Sequence, residues 1–188
     1  MSDPANLTPP APTIRLATDA DVLPMAKVHI ISWRETYPGL LPHPMLAQLS
    51  IAEEAIRWQR MLDRPRAWGG TLAFVADQQG SVVGYGSCGE QRTELLHDRG
   101  FTGEISELYV LRHAQRQGAG SGLMKVMASA LLERGHHAAS LWVLEENEAA
   151  RRFYEHVGGT LIAEKRANLV EVAYGWSDLR PLIFARGH

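Results

Sequence analysis

The chain has 188 residues, 45% of them apolar and 21% charged, which is the length and mix of one globular domain able to bury its own core. A net charge of −2, from 19 basic and 21 acidic residues, leaves no broad cationic field for nucleic-acid phosphates. The single cysteine, Cys88, excludes an intrachain disulfide and points to a reducing, cytoplasmic compartment, and no stretch approaches the ~20 apolar residues of a membrane span.

Met1 to Pro12 carries four prolines and no apolar run, so it reads as a flexible tail rather than a signal peptide. Thr13 to Ala17 is a strand by alternation. Thr18 or Asp19 caps a helix whose apolar face is Val22, Ala26, Ile30, Trp33 and Tyr37. Pro38-Gly39 stops it, and Pro42 and Pro44 bracket a loop. Ser50-Ile51-Ala52-Glu53 is a capping box that opens a helix to about Leu62. Strands follow at Thr71–Ala76 and Ser81–Ser87, joined through Asp77-Gln78-Gln79-Gly80, and Cys88 reads as a half-buried strand thiol. After a polar loop from Glu90 to Gly100, Glu104–Val110 is a strand. Gly118–Arg134 is a helix with Leu123, Val126, Met127, Ala130 and Leu131 on one face, stopped by Gly135. Ala139–Leu144 is an apolar strand, Asn147 caps a helix over Glu148–His156, and Thr160–Lys165 with Leu169–Trp176 forms a hairpin. Helices alternate with strands while hairpins persist, so the expectation is an α/β or α+β sandwich on a mixed sheet, one domain over residues 13–188.

The most informative segment runs from Val110 to Leu123. A strand ends, a turn follows, and Gly118 and Gly120 open a helix. Free amides and the positive end of the helix dipole face outward there, and glycines let an anion approach without a Cβ in its way. Such a turn suits a pyrophosphate, with Arg116 adding charge and Ser121 a hydroxyl. Close packing alone would also explain the two glycines. A dinucleotide fingerprint needs a third glycine where Leu123 stands, and a P-loop needs a Gly-Lys-Ser/Thr run that is absent. The eight histidines have no metal-ligand spacing, so no metal is expected.

Gln115, Gly118 and Gly120 match the Gln/Arg-x-x-Gly-x-Gly/Ala loop of the GCN5-related N-acetyltransferase (GNAT) family, and Asn147, Ala150, Phe153 and Tyr154 match its next motif at similar spacing. From Thr13 onward the chain resembles that family. The resemblance implies a central mixed sheet with a splayed strand pair, into which the pantetheine arm of acetyl-CoA, the acyl-donor cosubstrate, would enter. Leu108, Tyr109 and Val110 would supply backbone contacts to that arm. Gln115, Arg116, Gln117, Gly118, Ala119, Gly120 and Ser121 would hold the pyrophosphate. Asn147 would reach the arm from across the gap, with Ala150 and Phe153 beside it, although a helix cap is an equal reading of Asn147.

The implied chemistry is direct attack of a primary amine on the thioester in a ternary complex. Tyr154 would protonate the leaving thiolate; packed as a core aromatic it would do nothing chemical. Glu104 or Glu107 would accept the amine proton, directly or through water, and strict alternation places them on opposite faces unless a bulge intervenes. Trp33, Glu35 and Tyr37 lie where the acceptor would bind, with Trp33 and Tyr37 equally readable as core. Arg151 and Arg152 are near enough in sequence to meet phosphates. Homodimers are frequent in such a family. The acceptor, a small molecule or a peptide amine, is not named by the sequence, and a non-catalytic acyl-CoA sensor is the alternative.

Overall fold

A computed structural model of the chain describes residues 10–184. The tail expected over residues 1–12 lies outside the described residues up to position 9. One seven-stranded sheet, ordered β1-β2-β3-β4-β5-β7-β6, organises the rest. Its strands are β1 Thr13–Leu16, β2 Leu72–Gln78, β3 Ser81–Glu90, β4 Gly103–Val110, β5 Ala139–Leu144, β6 Thr160–Arg166 and β7 Val170–Trp176. Neighbours are antiparallel except β4 and β5, which run parallel. The expected mixed sheet flanked by helices is therefore present.

Helices cover both faces. On one face α1 Val22–Thr36 and α3 Ile51–Asp63 pack over Ala73, Val75, Tyr85 and Leu111. On the other lie α5 Ala119–Glu133, α6 Glu148–His156 and α7 Arg180–Phe184, against Phe74, Ile105, Leu141 and Tyr174. The α5 stripe of Leu123, Met127, Ala130 and Leu131 is buried as its 3.6-residue period requires. Among the described residues no helix is long and apolar enough to cross a membrane.

Some local readings need correction. The segment between Pro42 and Pro44 is not a plain loop but starts a short helix, α2 His43–Ala47, because proline is well suited to a first helical turn, where its missing N–H costs nothing. The polar stretch after Glu90 includes α4 Glu94–His97. The first hairpin turns in Gln79-Gly80 alone, both at positive φ, and the ladder extends to Gln78↔Ser81; two left-handed residues give the twist that joins strands most tightly. Cys88 is not half-buried: it is enclosed, and burial pushes its thiol up to about 12, so it is an inert core group.

Asp21 organises the entry to α1. Its carboxylate accepts from the Thr18 N–H (2.8 Å) and hydroxyl (2.9 Å) and from both terminal nitrogens of Arg15 (2.7 and 2.8 Å). The Arg15 hydrogen bonds hold its pKa down at about 2. A depressed carboxylate contributes stability above its unfolded value, lost as pH falls through the folded one. Asp21→Asn is expected to cost about 1–2 kcal/mol near neutral pH, discounted because Arg15 is partly solvated. In urea unfolding the gap to wild type should shrink progressively as pH falls below about 4.

Candidate active site at the splayed strand pair

Strands β4 and β5 pair only through Gly103↔Ala139 and Glu104↔Ser140, then part. Leu111 N–H bonds the Val83 carbonyl at 2.9 Å. Antiparallel ladders alternate, so the peptide groups of Leu108 and Val110 turn away from β3 into the gap, while those of Tyr109 face β3. The Gln115 side-chain amide donates to the Val110 carbonyl at 3.0 Å. Ser106 to Val110 stay half-exposed in mid-sheet, which marks an open wedge lined by backbone hydrogen-bonding groups.

The Gln115–Ser121 turn lies at the mouth of this wedge. Arg116 and Gly118 both adopt left-handed backbone (φ 60 and 87), a conformation that costs a non-glycine residue roughly 1–2 kcal/mol. Strain of this kind gathers at functional sites. Gly122 N–H makes the first intrahelical bond, to the Gly118 carbonyl at 2.8 Å, so the amides of Ala119, Gly120 and Ser121 precede any helical partner. Gln117 is tied down, donating to the His113 carbonyl (2.8 Å) and accepting from Gln78 (2.9 Å). Gly120 has a second reason to be glycine: a Cβ there would lie 3.2 Å from the Phe153 ring. Close packing and anion access are thus divided between the glycines, with Gly118 facing open space.

Across the wedge, Asn147 caps α6, its Oδ1 accepting from Ala150 N–H at 3.2 Å. A surface depression there is lined by Leu40, Arg112, Gln115, Asn147 and Ala149. Tyr154 is 7% exposed. Burial pushes its pKa well up, with the Tyr37 hydroxyl adding to the effect, and no hydrogen bond to its hydroxyl contributes. Its hydroxyl stays protonated and has no hydrogen-bond partner among the described residues.

The β3–β4 ladder slips at Ser106, where Ser87 opposes Glu107 but Cys88 opposes Ile105. This bulge cancels the alternation, so Glu104 and Glu107 share the α1/α3 face of the sheet. Glu104 accepts from the Arg92 backbone N–H (3.0 Å) and from its guanidinium (3.0 and 2.6 Å). Glu107 accepts from the Tyr85 hydroxyl and pairs with Arg57 at 2.8 Å. Burial works against its ionisation, yet the His29 ring, the Arg57 charge and the Tyr85 hydroxyl together hold its carboxyl below the usual range.

His29, one of the histidines expected to be solvated or core, is buried at the centre of this cluster. Its Nδ1 lies 2.8 Å from the Tyr85 oxygen, 3.2 Å from Glu54 Oε1 and 3.7 Å from Glu107 Oε2. Met25, His29 and Trp33 recur every fourth residue on the buried face of α1, so a histidine inside an apolar stripe was the available signal. The ligand atoms of His29, Glu54 and Glu107 all lie within 4.8 Å of one another, but the Arg57 guanidinium already pairs with both carboxylates and supplies the positive charge there.

From His29 an aromatic aisle runs to the wedge. The ring stacks on Trp33 (5.2 Å) and tilts against Tyr109 (4.9 Å), and Trp33 meets Tyr37 edge-on at 4.9 Å. Glu35 lines the same depression as Asn147, its side chain accepting from the Arg112 backbone N–H (3.0 Å) and its backbone carbonyl from the Arg112 guanidinium (2.6 Å). Arg151 bonds the Glu145 carbonyl and the Tyr174 hydroxyl, and Arg152 pairs with Glu148.

The family described as the acetyltransferase (GNAT) family matches residues 31–159. An uncharacterized N-acetyltransferase, YuaI, of Bacillus subtilis is 36% identical over 176 residues, covering 90% of this chain and 95% of its own. An uncharacterized N-acetyltransferase of Archaeoglobus fulgidus is 30% identical over 75% of this chain and 88% of its own. Among solved structures, PaiA N-acetyltransferase from Thermoplasma acidophilum, in complex with coenzyme A, superposes with a TM-score of 0.72 at 16% identity, over 87% of this chain and 98% of that one. YncA of Salmonella typhimurium, a putative acetyltransferase solved with acetyl-CoA, gives 0.63 at 20% identity, over 90% and 94%. Matched along most of its length by sequence and fold alike, the chain belongs to the acetyltransferase (GNAT) family and is an acetyltransferase.

Proposed function

We propose that residues 13–188 form one cytoplasmic N-acetyltransferase domain that moves an acetyl group from acetyl-CoA to a primary amine by direct attack. The observation that carries this reading is the open wedge between β4 and β5, with a left-handed, amide-rich turn at its mouth and an unpartnered phenol inside. These groups fit a CoA thioester. The free Leu108 peptide suits a pantetheine amide. The amides of Ala119, Gly120 and Ser121, with Arg116, suit the pyrophosphate. Acetyl-CoA supplies the activated acyl carbon. Relatives with N-acetyltransferase names and a fold neighbour solved with acetyl-CoA support the same donor.

The residues then divide the proton work. An alkylammonium has a pKa near ~10 and must lose a proton before it can attack. Glu104 and Glu107 supply negative charge on the acceptor side. Both carboxylates are already hydrogen-bonded, and Glu107 is the one that faces the aromatic aisle. Burial keeps Tyr154 protonated, so it gives its proton to the departing thiolate and recovers one from the nitrogen as the amide forms. Trp33, Tyr37 and Tyr109 offer ring faces to an ammonium.

The test is thiol release from acetyl-CoA over a panel of primary amines: small alkyl amines, amino acids, polyamines, aminoglycosides, and peptides with a free N-terminus or lysine. Amine-dependent release above the hydrolysis background, with the acetylated amine seen by mass, is the expected result. Binding of acetyl-CoA without turnover of any amine would overturn the enzymatic reading in favour of a sensor.

A further inference from the structure

The geometry points to His29 as the catalytic proton acceptor, an imidazole held by Glu54, Glu107 and Tyr85 so that Nε2 takes the acceptor amine's proton. This deepens the acetyltransferase reading and rests on it.

The tautomer follows from the neighbours. Burial keeps the Tyr85 phenol protonated, and its hydrogen is directed at the Glu107 carboxylate, which can only accept. The Tyr85 oxygen then has only lone pairs to offer His29 Nδ1 at 2.8 Å. The other nearby atoms, Glu54 Oε1 at 3.2 Å and Glu107 Oε2 at 3.7 Å, are also acceptors. Nδ1 must therefore carry the hydrogen, and the lone pair sits on Nε2. Carboxylates behind an imidazole orient it and stabilise the imidazolium once it forms. The charged and titratable groups around the ring are Glu54 and Arg57 on α3, Tyr85 on β3, and Glu107 and Tyr109 on β4. Arg57 bridges Glu54 and Glu107, so one negative charge of the set is left to balance a protonated ring.

Its place in the fold suits the task. His29 packs on Tyr109 (4.9 Å), a residue of β4, the strand that lines the wedge. His29 lies on the α1/α3 face of the sheet and Tyr154 on the opposite face, on α6. Nε2 removes one proton from the ammonium, through a water where the reach requires it, and passes it to solvent. The neutral nitrogen bonds to the acetyl carbon, the carbon–sulfur bond breaks toward sulfur, and Tyr154 protonates the thiolate. The second nitrogen proton returns to the Tyr154 oxygen. One acetylamide, one thiol and one released proton balance the ammonium and thioester consumed. Glu107 is here a positioning residue, which explains why so thoroughly bonded a carboxylate belongs in the site.

Two measurements on the full chain test this. Long-range proton–nitrogen NMR of the labelled wild type, with the ring assigned by its loss in His29→Gln, should find Nδ1 protonated and Nε2 bare in mildly alkaline buffer. A proton on Nε2 instead would overturn the proposal without any appeal to a variant's folding. With the alkyl amine turned over fastest in the panel, His29→Gln should bind acetyl-CoA as wild type does but lose about 100-fold in kcat at about pH 7. The deficit should shrink to less than about tenfold near pH 9.5, where the amine itself supplies the neutral nucleophile. An equal deficit at every pH would make His29 structural, and unaltered kinetics would end its role. No turnover by wild type despite acetyl-CoA binding would sink the acetyltransfer reading and the base together.

Discussion

Ser121→Asp is expected to abolish measurable acetyl-CoA binding while leaving the fold at least as stable as wild type. Ser121 is the third residue of α5 and is exposed. An aspartate in a first helical turn gains about 0.3–1 kcal/mol from the helix dipole, so the melting temperature should hold or rise. The same carboxylate would sit beside the amides proposed to receive the pyrophosphate. Like charges about 5 Å apart repel by about 3 kcal/mol at an effective dielectric near 20. Calorimetry should therefore read a loss of at least about 100-fold in affinity. Replacing Gly118 and Gly120 together by bulky residues should also abolish binding, but that variant strains the left-handed turn and drives a side chain into Phe153. Only Ser121→Asp separates ligand repulsion from damage to the scaffold. Undiminished affinity in it would remove the anion role from this turn and leave both glycines as packing residues.

The turn was legible and the proposed base was not, and the difference is one of range. The Gln115–Ser121 loop and the Asn147–Tyr154 helix start are local: their backbone demands fall within about one helical turn, so glycines, a capping asparagine and a strand before them give both elements away. The α5 and α3 helices were legible for the same reason, through their periods and the Ser50 cap, which accepts from Glu53 N–H. The bulge at Ser106 has no such signature, since it comes from how β3 and β4 register across the sheet. Without it Glu104 and Glu107 read as facing opposite ways. His29 gathers its partners from α1, α3, β3 and β4, and no spacing in the chain records that meeting. The contact of Glu35 with Arg112, far along the chain, is of the same long-range kind. The terminal α7 escaped for want of periodic length, although Leu182 within it and Leu179 just before it are buried.

Tyr154→Phe should lower kcat by about 100-fold or more, with the KM for acetyl-CoA little changed, because the phenol is proposed to act only as the carbon–sulfur bond breaks. The change deletes one oxygen and leaves the packing of the ring against Phe153, Tyr174 and Trp176 intact. That hydroxyl has no hydrogen-bond partner among the described residues, so its removal orphans nothing and stability should move by less than about 1 kcal/mol. A core aromatic would give the opposite pattern of small kinetic and larger stability effects. The raised pKa fixes the sign of the pH response. The donor form persists across the working range, so wild type should have no alkaline loss assignable to this residue below about pH 10. The variant's deficit should also depend on the leaving group: a thioester whose thiol is more acidic departs without help, and with such a donor the loss should narrow toward wild type. A deficit that stays constant across donors would mean that Tyr154 shapes the wedge rather than protonating the thiolate, and the acid would have to be a water held in the same gap.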